Sequence, residues 1–193
     1  MRWNLMACTF TMILFTGGLQ GLHARANTDD GGNNAAADTT QRDAVSRADQ
    51  ELARRVREKV VDYDFYGIFD WVQVRVQDSV VTLSGWVRAR WEKPIFGKLA
   101  LEVAGVKRVN NQLDWTFGPG KLGLQAAQLI YGDPMFQGFA YSWDPPIHII
   151  VVLNKVILEG EVSTENEREQ AEFLVRYQTD AVSVGNNLRV ALR

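Results

Sequence analysis

Residues 81–87 read VTLSGWV, and 75 positions later residues 156–162 read VILEGEV. Both stretches alternate apolar and polar side chains, and each has a glycine at its fifth place, Gly85 and Gly160. A period of two is the pattern of a strand with one buried face. A glycine within such a strand marks a point where a helix or neighbouring strand comes close to the backbone.

The two stretches belong to a longer repeat. Laying residues 72–115 over 147–190 without a gap gives ten identities in 44 pairs, where ordinary residue usage gives about three. The identities include Val81/Val156, Leu83/Leu158, Gly85/Gly160, Val87/Val162, Glu92/Glu167, Asn111/Asn186 and Leu113/Leu188. In the strand-like parts they fall on alternate positions, as a shared inward face requires.

Each unit reads in the order αββαβ. In the first, Ser46 can cap a helix whose Ala48, Leu52, Ala53, Val56 and Val60 lie on one arc. Residues 72–78 and 80–87 form a hairpin around Asp78-Ser79. A helix from about Trp91 to Ala104 tolerates Pro94 in its first turn, and Gly105 provides a left-handed stop. Residues 106–115 supply the last strand. In the second unit, residues 121–131 give the first helix, and IHIIVVL with KVILEGEV gives the hairpin. Thr164 and Glu167 form a capping box for a helix reaching about Tyr177, and residues 182–192 close the unit. The expected class is α+β, with the TFGPGK connection (116–121) between two small units that stabilise each other by packing.

DSVVTLSGWV followed by VAGVKRVNNQL, and NKVILEGEV followed by AVSVGNNL, resemble the BON domain of bacterial envelope proteins, here in tandem over about residues 47–192. Two features depart from the family pattern: Ser79 stands where Gly is common, and the second hairpin is expected to turn at Asn154-Lys155. The resemblance implies two three-stranded mixed sheets, each with two helices on one face, and no enzymatic activity. It further implies a periplasmic protein that binds phospholipid surfaces or other envelope components and serves envelope integrity or osmotic and stress protection. The alternative is a protein-interaction or oligomerisation module that ignores lipid.

The flanking composition fits secretion. Arg2 precedes a nearly uncharged run from Leu5 to Leu19, and Ala24-Arg25-Ala26 offers small residues for a signal peptidase, so residues 1–26 read as a cleaved signal peptide. Too few residues precede Cys8 for a lipoprotein signal, and Cys8 is the sole cysteine, so the mature chain has no thiol chemistry. Residues 27–45 are rich in Asn, Asp, Gly, Ala and Thr and read as a disordered linker. The units then span residues 46–116 and 117–193. Cleavage leaves 19 basic against 23 acidic side chains, a balance that does not favour nucleic acid as a partner.

Catalytic and metal signatures are lacking. His148, the one histidine of the mature chain, has no partners at useful spacing and reads as structural or solvated. FGPGKLGL lacks the spacing of a phosphate loop, so no cofactor is expected. Three features carry more. Aromatic rings crowd the approach to each hairpin: Tyr63, Phe65, Tyr66, Phe69 and Trp71, then Phe136, Phe139, Tyr141 and Trp143. They either fill thin cores and the join between units, or form an interfacial belt or ligand groove. Trp86, Arg88, Arg90, Trp91 and Lys93 make a basic aromatic surface at a hairpin exit, suited to anionic phospholipid or to simple Arg-on-Trp stacking. Lastly, IHIIVVL is apolar on both faces, so its outer face needs cover from the first unit, another subunit or a ligand.

Overall fold

The computed structural model describes residues 32–139, 142 and 144–191, with side chains from residue 44 onward. The expected signal peptide, Tyr141 and Trp143 lie outside the described residues. The first unit comprises α1 (Gly32–Val61), β1 (Trp71–Gln77), β2 (Val80–Val87), α2 (Glu92–Leu101) and β3 (Arg108–Trp115). The second comprises α3 (Gly120–Gly132), a short 3-10 turn at Gln137–Phe139, β4 (Ile147–Val152), β5 (Lys155–Val162), α4 (Glu165–Gln178) and β6 (Ser183–Val190).

Each sheet has its middle strand second in the unit: β1-β2-β3 and β4-β5-β6. The hairpin pairs are antiparallel and the closing pairs parallel, giving the mixed sheets expected. Leu83 lies between Val74 and Asn111, and Leu158 lies between Ile149 and Asn186, so the repeat holds strand by strand. Both leucines are fully buried under helices, the first with Val56, Phe96 and Ala100, the second with Ala126, Ile130 and Ala171. Phe96 and its repeat counterpart Ala171 differ greatly in bulk, and in the second unit Phe136 joins that core.

Two devices recur at the same offset and hold the scaffold together. Gly85 (φ 113°) and Gly160 (φ 127°) lie in the left-handed region. A Cβ on Gly85 would stand 2.0 Å from the Trp71 carbonyl oxygen, and one on Gly160 would stand 2.0 Å from that of Pro146. The close approach is therefore backbone to backbone across the hairpin, and only glycine allows it. Asn111 donates from Nδ2 to the Lys93 carbonyl at 2.7 Å and accepts from the Leu113 N–H at 3.2 Å. Asn186 repeats both bonds, to Arg168 at 2.8 Å and from Leu188 at 3.2 Å, so each asparagine ties a helix to the closing strand.

Two boundaries correct the sequence reading. Helix α1 begins at Gly32, not Ser46, inside the stretch expected to be a disordered linker. Its first core contact comes only at Leu52. The second hairpin turns at Leu153-Asn154 instead of Asn154-Lys155, with φ of 50° and 61°, because Val152 pairs with Lys155. Asp78 and Ser79 have the same left-handed pair of angles, and Asp49 accepts both of their N–H groups. Thr164 accepts from the Glu167 N–H at 3.2 Å, and Glu167 reaches back to the Ser163 N–H, closing the capping box one residue earlier than its usual form.

The units are joined by residues 66–71. Ile68 accepts from the Ile149 N–H at 2.6 Å, so the first unit's main chain caps the edge of β4. Trp71 and Tyr66 cover His148 on the outer face of that strand, with ring centroids 4.9 and 5.8 Å away. His148 and Ile150 are buried, which explains why β4 is apolar on both faces. Arg57 of α1 and Asp144 add an ion pair at 2.7 Å.

Gly160→Ala should destabilise the protein by about 3 kcal/mol or more, since it adds both a clash with main chain and a left-handed penalty. Gly138→Ala, where a Cβ meets nothing within 4 Å, should stay within about 0.5 kcal/mol. Urea unfolding of the two variants checks the contrast.

Candidate functional site

The residues singled out in the sequence scatter over three places. Trp86 lies on the outer face of the first sheet, paired with Trp71 and Asp114. Phe136 is fully buried in the second core, so of its two readings it fills a thin core and takes no part in an interfacial belt: the loop before β4 turns it inward beside Ala126 and Ile130. Phe139 packs partly on that core, its ring 6.4 Å from that of Phe136, and lines an apolar recess with Ile68, Phe69 and Leu124. The first aromatic cluster fills space as well: Tyr63 and Tyr66 meet Phe96 edge-on, and Phe69 packs on the second core.

Arg88 is tied inward. Its Nε donates to the buried Glu92 at 3.1 Å, and its main-chain N–H donates to the buried Asp70 at 2.8 Å. The Gly67 N–H also donates to Asp70. Burial pushes the Asp70 carboxyl up to about 6, against the pull of these donors. Removing the guanidinium would leave Glu92 buried and uncompensated, a loss of about 3–5 kcal/mol. Lys93 contributes its carbonyl to Asn111 at the start of α2.

Arg90 and Trp91 are exposed, and residues the sequence reading passed over join them. The Arg90 guanidinium sits 5.9 Å from the centre of the Trp115 ring, and Phe117 stands edge-on to Trp115 at 4.9 Å. Phe117 is 94% exposed. It is held there because the Thr116 and Gly118 N–H groups donate to the Val87 and Arg88 carbonyls, continuing the strand pairing into the connection. On its far side, Phe117 shares a recess of about 460 Å³ with Lys121 and with Leu153, which is 89% exposed. Leu153 occupies a left-handed turn position that the first unit fills with Asp78. A leucine there is strained and solvated, so the turn itself does not call for it. The only sequence signal was a phenylalanine inside a glycine- and proline-bearing connection.

His148 is structural and shielded from solvent. Its Nδ1 lies 3.3 Å from the Gly67 carbonyl, which accepts in the tautomer protonated there. Burial pushes the imidazole from 6.5 down to about 4. Among the described residues there is no group of three or more His, Cys, Asp or Glu placed to hold a metal, and no helix long and apolar enough to cross a membrane.

The BON domain profile matches residues 48–116 and 140–191, and the chain belongs to the BON domain family. No curated protein matches it in sequence. Among solved structures it is similar to CdsD, a structural protein of the Type III secretion system of Chlamydia trachomatis, at 10% identity and a TM-score of 0.27, over 73% of this chain and 92% of that one. A structure of the CdsD C-terminal domain gives 9% identity and a TM-score of 0.26, over 73% and 98%. Likenesses at this level bear on neither fold detail nor function.

The low His148 value makes the join sensitive to acid. In the unfolded chain the imidazole takes up its proton below 6.5, whereas in the fold it stays neutral down to about 4. The unfolded state therefore binds more protons between these values, and stability from this group falls as pH drops. Asp70 acts in the opposite sense, because its folded carboxyl gains a proton below about 6 and the unfolded one only near 3.8. Comparing wild type with His148→Phe by urea unfolding isolates the histidine: between pH 6.5 and 4 the balance should move toward the variant by about 3 kcal/mol.

Proposed function

We propose that this BON protein acts at the cell envelope, where it attaches to anionic phospholipid surfaces and supports envelope integrity under osmotic or other stress. One observation carries the reading: Phe117 and Leu153 project from two turns on the same side of the molecule, with Arg90, Trp115 and Lys121 around them. Membership of the BON family supports it as well.

The magnitudes say which residues matter. Burying a phenylalanine or leucine side chain in an apolar phase is worth about 1.5–3 kcal/mol each. A basic residue near an anionic surface adds about 1 kcal/mol. The two apolar tips would thus supply most of the attachment, while Arg90 and Lys121 select anionic over neutral headgroups. Trp115 sits behind Phe117, suited to the headgroup level. Arg88 is left out, since Glu92 holds it.

Vesicle flotation tests the proposal. The protein should float with phosphatidylcholine vesicles containing phosphatidylglycerol, and much less with phosphatidylcholine alone. Phe117→Ser combined with Leu153→Asn should lower association at least about tenfold without lowering urea stability, since asparagine suits the left-handed turn position that strains Leu153. Arg90→Ser with Lys121→Ser should remove the preference for anionic vesicles. Absence of flotation at low salt would refute the reading.

A further inference from the structure

The duplication supplies an internal comparison between two sheet edges. In a hairpin with a two-residue turn, the pair flanking the turn is hydrogen-bonded, and the alternation continues along the strands. Counting from Gln77↔Val80, the N–H and C=O groups of Val74 and Val76 point away from β2. Counting from Val152↔Lys155, those of Ile147 and Ile149 point away from β5. In β4 these groups are used: the Ile149 N–H donates to Ile68, and the Ile147 carbonyl accepts from the Tyr131 hydroxyl. In β1, among the described residues, Val74 and Val76 make no main-chain hydrogen bond beyond the sheet.

The β1 edge is also accessible, with Arg75 its one charged side chain. Its sequence, WVQVRVQ, has neither the lysine nor the proline that commonly blunts an edge. It faces α1 across two recesses of about 610 and 860 Å³, which share Ala53 and Arg75. The recess at the join carries Arg54, Arg57, Arg75 and Arg189 against Asp144 and Glu161. Glu51 and Glu58 hold Arg54, and Asp144 holds Arg57; of the remaining charges Arg75 and Arg189 are exposed, with Glu161 the cross-strand neighbour of Arg189, so one positive charge is left in excess to meet an incoming carboxylate. The other recess ends on Asp49 and Asp78, so the groove is basic only where it meets the second unit.

We infer that the β1 edge is a docking site for an extended acidic segment of a partner protein, which adds to the first sheet as a fourth strand. Unpaired main-chain donors and acceptors along an edge require a partner that offers both, as a peptide backbone does and a phosphate does not. The exposed Arg75 and Arg189 at the join place the acidic side chains at that end. This site lies apart from Phe117 and Leu153 and does not depend on membrane attachment.

The test uses the full chain and a labelled valine-rich peptide as long as β1 that carries its glutamates at the end lying toward the join. Fluorescence anisotropy should show saturable binding, and amide exchange should show the Val74 and Val76 N–H groups becoming protected. The same peptide N-methylated at alternate residues, and one with lysine in place of glutamate, should bind at least about tenfold more weakly. Arg75→Glu with Arg189→Glu should weaken the glutamate peptide and strengthen the lysine peptide, while urea stability reports that the variant is folded. No binding, or equal binding of the N-methylated peptide, would overturn the proposal. Protection of Val74 and Val76 that rises with protein concentration alone would assign the edge to a second copy of the chain and equally overturn it.

Discussion

The structure depends on one interdomain contact, the Ile149 N–H donating to the Ile68 carbonyl with His148 packed beneath Trp71. A unit of about 70 residues has a thin core and buries a modest share of its surface. Here each unit compensates for the other. The segment leading into β1 closes the edge of β4, and the outer face of β4 gives Trp71 and Tyr66 something to cover. An unsatisfied edge N–H or an unpaired imidazole in that position would cost about 1–3 kcal/mol. The join therefore replaces two liabilities with one shared interior.

Around it, the repeat is conserved where geometry leaves no choice and drifts elsewhere. Gly85 and Gly160 are fixed by main chain 2.0 Å from a would-be Cβ. Asn111 and Asn186 are fixed by bonds that only a side-chain amide of that length makes in both directions. Glu92 and Glu167 show how one identity can serve two ends: both reach back four residues, one to the Arg88 side chain inside the protein and one to the Ser163 main chain at the surface. The hairpin tips have diverged most, Asp78-Ser79 against Leu153-Asn154, although their backbone angles match. Surface chemistry thus differs between units while the scaffold stays the same.

This division explains what could be read from the chain. The strands, the inward leucines and the glycine pair follow from period two and from a constant offset, which are local signals. Helix α2 was legible from its punctuation, Pro94 in the first turn and Gly105 beyond the end. The join was legible only in outline: a strand apolar on both faces demands cover, but no local pattern says that Trp71 provides it. Phe136 and Phe139 looked alike in sequence, and only the path of the loop decides that one is core and the other lines a recess. Phe117 was hidden by its setting among glycine and proline, since exposure is a property of the fold and composition does not encode it. Arg88 looked free because Glu92, four residues on, was not expected to be buried.

Equilibrium urea unfolding followed by two probes bears most directly on the claim that both units share one body. Tryptophan fluorescence is weighted to the first unit by Trp71, Trp86, Trp91 and Trp115, whereas far-UV circular dichroism reports both. Coincident single transitions are predicted, because loss of residues 66–71 opens the second unit as well. A fluorescence transition completed at lower urea, with half of the dichroism signal still in place, would contradict the account.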